Sequence, residues 1–110
     1  MPQITVDYSA PLDRRGFALA LHPLVVDTVD TVIDACKTRF REIEETVCGD
    51  GSTDDVVVHV DIALLAGRSE ETKARLTEAV LALLPLHLKQ QDGVRISAEV
   101  RDLDPSYRSR

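Results

Sequence analysis

Val56-Val57-Val58-His59-Val60-Asp61-Ile62-Ala63-Leu64-Leu65 runs through Ala66-Gly67-Arg68-Ser69 into Glu70-Glu71-Thr72, and this junction decides the fold. The near-continuous apolar run predicts a central strand covered on both faces. Gly67-Arg68-Ser69 ends it, Ser69 has the chemistry of a helix N-cap, and Glu70 and Glu71 suit the positive end of a helix dipole. Leu76, Ala79, Val80, Leu83 and Leu84 then recur at helical spacing, Pro85 bends or ends the helix, and Gly93 marks its stop. Residues 94–101 alternate: Val94, Ile96, Ala98 and Val100 face one way, and Arg95, Ser97, Glu99 and Arg101 the other.

The same order stands upstream. Ile4, Val6 and Tyr8 alternate with Gln3, Thr5 and Asp7, which reads as a half-buried strand. Asp13 is a good N-cap, and Phe17, Leu21, Leu24, Val25, Thr28, Val29 and Val32 follow at helical spacing, with an expected kink at Pro23. Residues 37–48 read as a second strand, solvated on one face, and Asp50 to Asp55 as a loop. Val6-Asp7 recurs as Val60-Asp61, and at the same spacing Arg14 matches Arg68 and Arg41 matches Arg95. The chain is therefore expected to be one domain over residues 1–110, built from two β-α-β halves at about 2–48 and 56–101. The fold class is α/β (α+β): a four-stranded sheet with two helices on one face, which periodicity alone does not separate from a ferredoxin-like arrangement. The opposite sheet face is expected to be apolar and covered by a partner.

Composition narrows the function classes. Nineteen Asp and Glu against 13 Lys and Arg give a net charge of −6, which argues against a nucleic-acid partner. Aromatic residues are only 4%, too few for a ladder of base-stacking platforms. The most apolar stretch, Ala79–Leu88, is too short to span a bilayer, and Met1-Pro2-Gln3 does not open a leader peptide. Cys36 and Cys48 then read as reduced thiols, and the expected location is cytoplasmic. The histidines lack the spacing of a zinc site, and the cysteines form no C-x-x-C pair. His59, inside an apolar strand, reads as a satisfied core residue.

Gly67-Arg68-Ser69-Glu70-Glu71-Thr72-Lys73, followed by an apolar helix and Gly93-Val94-Arg95-Ile96, resembles the tautomerase superfamily. Pro2 directly after Met1, with two β-α-β halves in one chain, is most similar to the 5-carboxymethyl-2-hydroxymuconate isomerase family. The resemblance covers nearly the whole chain. It implies a homotrimer and a cofactor-independent isomerase in which Met1 is removed and the Pro2 amine acts as general base. It further implies a small anionic substrate, its carboxylate and enol oxygens held by arginines, and no metal.

On this resemblance Pro2 is the catalytic candidate, and Arg68, Arg39, Lys37 and Arg95 are the substrate-binding candidates. Arg68 also has a local argument: a cation beside free backbone N–H groups at a helix start makes a carboxylate clamp. Lys37, Arg39 and Arg41 share one strand face and form a positive patch in an acidic protein. Arg14 and Arg15 read as solvated surface. The aromatic wall usual near the proline would here fall to Phe40, Tyr8 or Tyr107. A non-catalytic regulatory or assembly domain, or a dehalogenase- or decarboxylase-type reaction on the same fold, stays open at this point.

Overall fold

Strand β1 (Gln3–Tyr8) buries every second side chain, Ile4, Val6 and Tyr8, as its alternation predicts. The computed structural model describes all residues from 1 to 110. Helix α1 (Arg14–Val29) follows, capped by Asp13, whose carboxylate accepts the Gly16 N–H at 3.1 Å. A Cβ at position 16 would collide with that carboxylate, so the cap needs the glycine. Phe17, Leu21, Val25 and Val29 form the buried stripe, and Pro23 lies inside the helix without ending it. Asp30 turns the chain with a left-handed φ of 53°, and a short 3-10 turn at Ile33–Ala35 leads on. The helical register thus stops at Val29, and Val32 is exposed.

Strand β2 (Lys37–Glu42) is half the length that its composition suggested. The predicted strand over 37–48 stops where its partner β1 ends at Tyr8, because beyond Glu42 there is little backbone to pair with. Strand β3 (Val56–Leu64), helix α2 (Glu70–Leu83), a 3-10 turn at Leu84–His87 and strand β4 (Val94–Asp102) complete the second half. Ser69 caps α2 by accepting the Thr72 N–H, and the α-helix gives way to the tighter turn at Leu84-Pro85.

The sheet order is β2-β1-β3-β4, with β1 parallel to β2, β3 parallel to β4, and the central pair β1 and β3 antiparallel. Each crossover therefore joins neighbouring strands, unlike the split arrangement of a ferredoxin-like sheet. Seventeen buried residues form one cluster, in which β1 and β3 meet the stripes of both helices. Val6 faces Val60 across the central pair, and Asp7 and Asp61 follow them, so the sequence repeat is a true structural repeat there.

Four expectations need correction. The open sheet face is polar, not apolar: Arg41 pairs with Asp7 at 2.7 Å, Arg101 with Asp61 at 2.9 Å, and His59 Nδ1 lies 2.7 Å from Ser97 Oγ. Strand β3 is accordingly covered on one face only within the chain, and His59 belongs to the open face rather than the core. The match of Arg41 to Arg95 also fails. Asp7 lies level with Arg41, but its counterpart Asp61 lies level with Glu99, well past Arg95. The longer second crossover makes Arg95 the counterpart of Lys37, since these face Val57 and Gln3. Arg14 likewise sits inside its helix and Arg68 ahead of the cap, so they are not positional partners.

One link between α1 and β2 is titratable. His22 Nε2 lies 2.8 Å from Thr38 Oγ1, and burial holds its pKa below the ordinary 6.5. A histidine whose folded pKa is depressed supports folding above 6.5, and that support is lost as pH falls through the folded value. The denaturant midpoint should therefore drop between pH 7 and pH 5, and His22→Gln should flatten that part of the profile. An unchanged slope in the variant would place the pH dependence elsewhere.

Candidate functional site

Antiparallel pairing of β1 with β3 brings the start of one beside the end of the other. Gln3 faces Lys37 on one side and Ala63 on the other. Pro2, buried at the head of β1, is thus flanked by the start of β2 and by the loop that leaves β3. Met1 marks the same place: its Sδ accepts the Leu65 N–H at 3.3 Å. The chain's ammonium group at Met1 has its pKa lowered from 8.0, first by burial and then by the charge and hydrogen bonding of Lys37. An amine at this end of the sheet is therefore biased toward its neutral form.

Lys37 and Arg39 project from β2 on the open face of the sheet. Arg39 Nη2 donates to Gln3 Oε1 at 2.8 Å, and Gln3 Nε2 donates to the Tyr107 hydroxyl at 3.0 Å. The C-terminal segment is thereby tied to the strand that carries Pro2. Of the three aromatic candidates, only Tyr107 is at this end. Tyr8 and Phe40 meet edge to face, 6.2 Å apart, at the other end of β1 and β2. Cys36, buried beside Lys37, has its thiol pKa raised by burial, which leaves it protonated.

Arg68 is in the same neighbourhood but is engaged with backbone. Its Nε and Nη2 donate to the Val29 carbonyl at 3.2 and 2.8 Å, and its Nη1 to the Leu65 carbonyl at 3.1 Å. Val29 is the last residue of α1, so the guanidinium caps a helix C-terminus, where the dipole favours a cation. A guanidinium carries five N–H donors, and three hydrogen bonds leave two for another acceptor.

Arg95 is not part of this group within one chain. It sits at the start of β4, opposite Val57, and pairs with Asp55 at 2.9 Å. The strand position level with Gln3 and Ala63 is Arg101, about 20 Å further along the strand. Pro2, Lys37, Arg39 and Arg68 therefore gather at one end, and Arg95 marks the other. Gln3 escaped the sequence reading, its one signal being its place next to Pro2. No group of three or more His, Cys, Asp or Glu side chains is arranged to hold a metal ion, and no helix is long and apolar enough to cross a membrane.

Known proteins share this arrangement of strands and helices. A solved 5-carboxymethyl-2-hydroxymuconate isomerase from Deinococcus radiodurans R1 is 24% identical, with TM-score 0.82 over 98% of this chain and 88% of that one. A second structure, a 5-carboxymethyl-2-hydroxymuconate delta-isomerase, is 17% identical with TM-score 0.83, covering 100% of this chain and 87% of that one. A fused 4-OT described as a symmetric trimer is 21% identical with TM-score 0.79 over 96% and 90% of the two chains. At these identities the likeness shows a common fold. Comparison with curated proteins gives no match. The family model for 5-carboxymethyl-2-hydroxymuconate isomerase matches residues 2–110, and on that match the chain belongs to the 5-carboxymethyl-2-hydroxymuconate isomerase family.

Proposed function

We propose that the protein is a cofactor-independent tautomerase acting on a small unsaturated carboxylate of the 2-hydroxymuconate type. The observation that carries this reading is the family match over residues 2–110, and it is supported by the place of Pro2, buried at the head of β1 beside the start of β2 at Lys37. Removal of Met1 would turn the Pro2 nitrogen from an amide into a secondary amine at the same end of the sheet. The neutral amine takes the proton of the substrate's enol O–H, and the electron pair left on oxygen spreads through the diene. The ammonium then returns a proton to a carbon, leaving an unsaturated ketone and the neutral amine. Arg39 and Lys37 hold the carboxylate and stabilise the dienolate oxygen, and Arg68 adds its two remaining N–H donors.

The reading includes a homotrimer, supported by the trimeric state named for the fused 4-OT. The polar sheet face then packs by ion pairs and hydrogen bonds rather than by apolar burial. Arg95, remote from Pro2 within one chain, would serve a site only from a neighbouring copy.

Mass spectrometry of the native protein should find Met1 absent, and an intact Met1 would remove the base. The rate constant kcat/KM for ketonisation of 2-hydroxymuconate, followed by ultraviolet absorbance, should rise with pH as the amine loses its proton. Its midpoint should lie below the ordinary value of an exposed N-terminal proline amine, since burial and the Lys37 charge both oppose protonation there. Lys37→Ala should move that midpoint upward, because a neighbouring positive charge no longer opposes protonation. A midpoint indifferent to Lys37 would break the link between the two groups.

Arg68 should show two separable effects. Arg68→Ala frees the Val29 carbonyl and should lower stability by about 1–3 kcal/mol in denaturant unfolding. In the same variant KM should rise more than kcat falls, since carboxylate binding is lost while the amine remains. A stability loss with unchanged KM would confine Arg68 to the helix end.

A further inference from the structure

The two halves of the chain are duplicated, but they close differently. In the second half α2 packs closely on β4, and Lys73 Nζ bridges Glu70 at 2.8 Å and Asp102 at 3.3 Å, tying helix to strand. In the first half β2 stops at Glu42, no ion pair joins it to α1, and the side-chain link is the hydrogen bond between His22 and Thr38. A cleft of about 510 Å³ opens between α1 and β2, beyond that hydrogen bond. Its volume is in the range of small-molecule sites.

The walls of the cleft have two characters. Leu12, Ala18, Leu19 and Phe40 supply apolar surface, and Leu19 is 58% exposed. Arg14, Arg15 and Lys89 stand at the rim, and none of them is in an ion pair. The one acid in the lining, Asp13, is occupied in capping α1. Arg14 is steadied by the Tyr8 hydroxyl at 3.2 Å. The backbone under Lys89 is held by its N–H on the Pro11 carbonyl at 3.0 Å and by the bridge between Leu12 and Leu88. Three unpaired cations over an apolar floor, in a chain of net charge −6, form a local site for a flat apolar anion.

This cleft is separate from the Pro2 end. It lies on the helix side of the sheet, where Thr38 and Phe40 turn toward α1, whereas Lys37 and Arg39 project from the open face. Arg68 meets the last residue of α1, about 22 Å along the axis from the helix's first turn. We propose that the α1–β2 cleft is a second, non-catalytic binding site for a small planar aromatic carboxylate, its ring on Phe40 and Leu19 and its charge on Arg14, Arg15 and Lys89. The site does not depend on the reading of Pro2.

The test is a nuclear magnetic resonance titration of the full chain with sodium benzoate and sodium 2-naphthoate. Saturable shifts are expected at the amides of Asp13, Arg15, Thr38 and Phe40, with a dissociation constant of about 1 mM or tighter. The double variant Arg15→Glu with Lys89→Glu, both on exposed positions, should weaken binding roughly tenfold or more. Pro2→Ala should leave it unchanged. Benzylamine, the same ring with the opposite charge, should give no saturable shift. Equal binding of benzylamine would overturn the proposal, as would shifts centred on Lys37 and Arg68 or the absence of any saturable shift.

Discussion

The antiparallel pairing of β1 with β3 is the constraint on which the rest of the molecule depends. Each strand is the first of its own half, and each has one face of continuous apolar side chains that only the two helices can cover. Placing Val6 against Val60 puts both apolar faces on the same side and sends the two crossovers to opposite edges. The same pairing joins the head of β1 to the tail of β3, so Met1, next to Pro2, meets Leu65 although the whole first half and β3 intervene in the chain. Core and candidate site are therefore consequences of one register.

Much of this was legible in the residues, for identifiable reasons. The central strands and both helices follow from period and caps: Asp13 and Ser69 accept N–H groups in the first turns as their side chains suggest. Fold class and the gathering of Pro2 with Lys37 and Arg39 followed from the repeat and the family resemblance. Most of the readings that failed concern what lies across the sheet. A valine run with one histidine looks like a doubly covered strand, yet the side chains of His59 and Asp61 meet Ser97 and Arg101 on the open face. A fixed offset paired Arg41 with Arg95, because an offset does not see that the second crossover is longer. The length of β2 was overestimated because pairing with Tyr8, not β-propensity, sets its end. Gln3 was invisible because an amide's role depends on the two groups it happens to bridge.

The open face carries its charges in cross-strand pairs, Arg41 with Asp7 and Arg101 with Asp61. Exposed pairs of this kind contribute little stability, about 0–1 kcal/mol each. Their effect is on register and solubility instead: a slip of one residue would turn the charged side chains into the apolar core and bring the core residues into water. The two acids occupy matching places in the halves, so this safeguard stands on both central strands.

Arg68 belongs to the second half, but it closes the end of the first half's helix. Removing the second half would leave the Val29 carbonyl and its neighbours at that helix end without their cation. A duplicated chain whose halves were interchangeable could be cut into two self-sufficient pieces; this one could not. The fusion has become an obligation, with one half completing the backbone of the other. The residue that enforces it stands next to the candidate site, so drift that loosened the union of the halves would disturb the surroundings of Pro2 at the same moment.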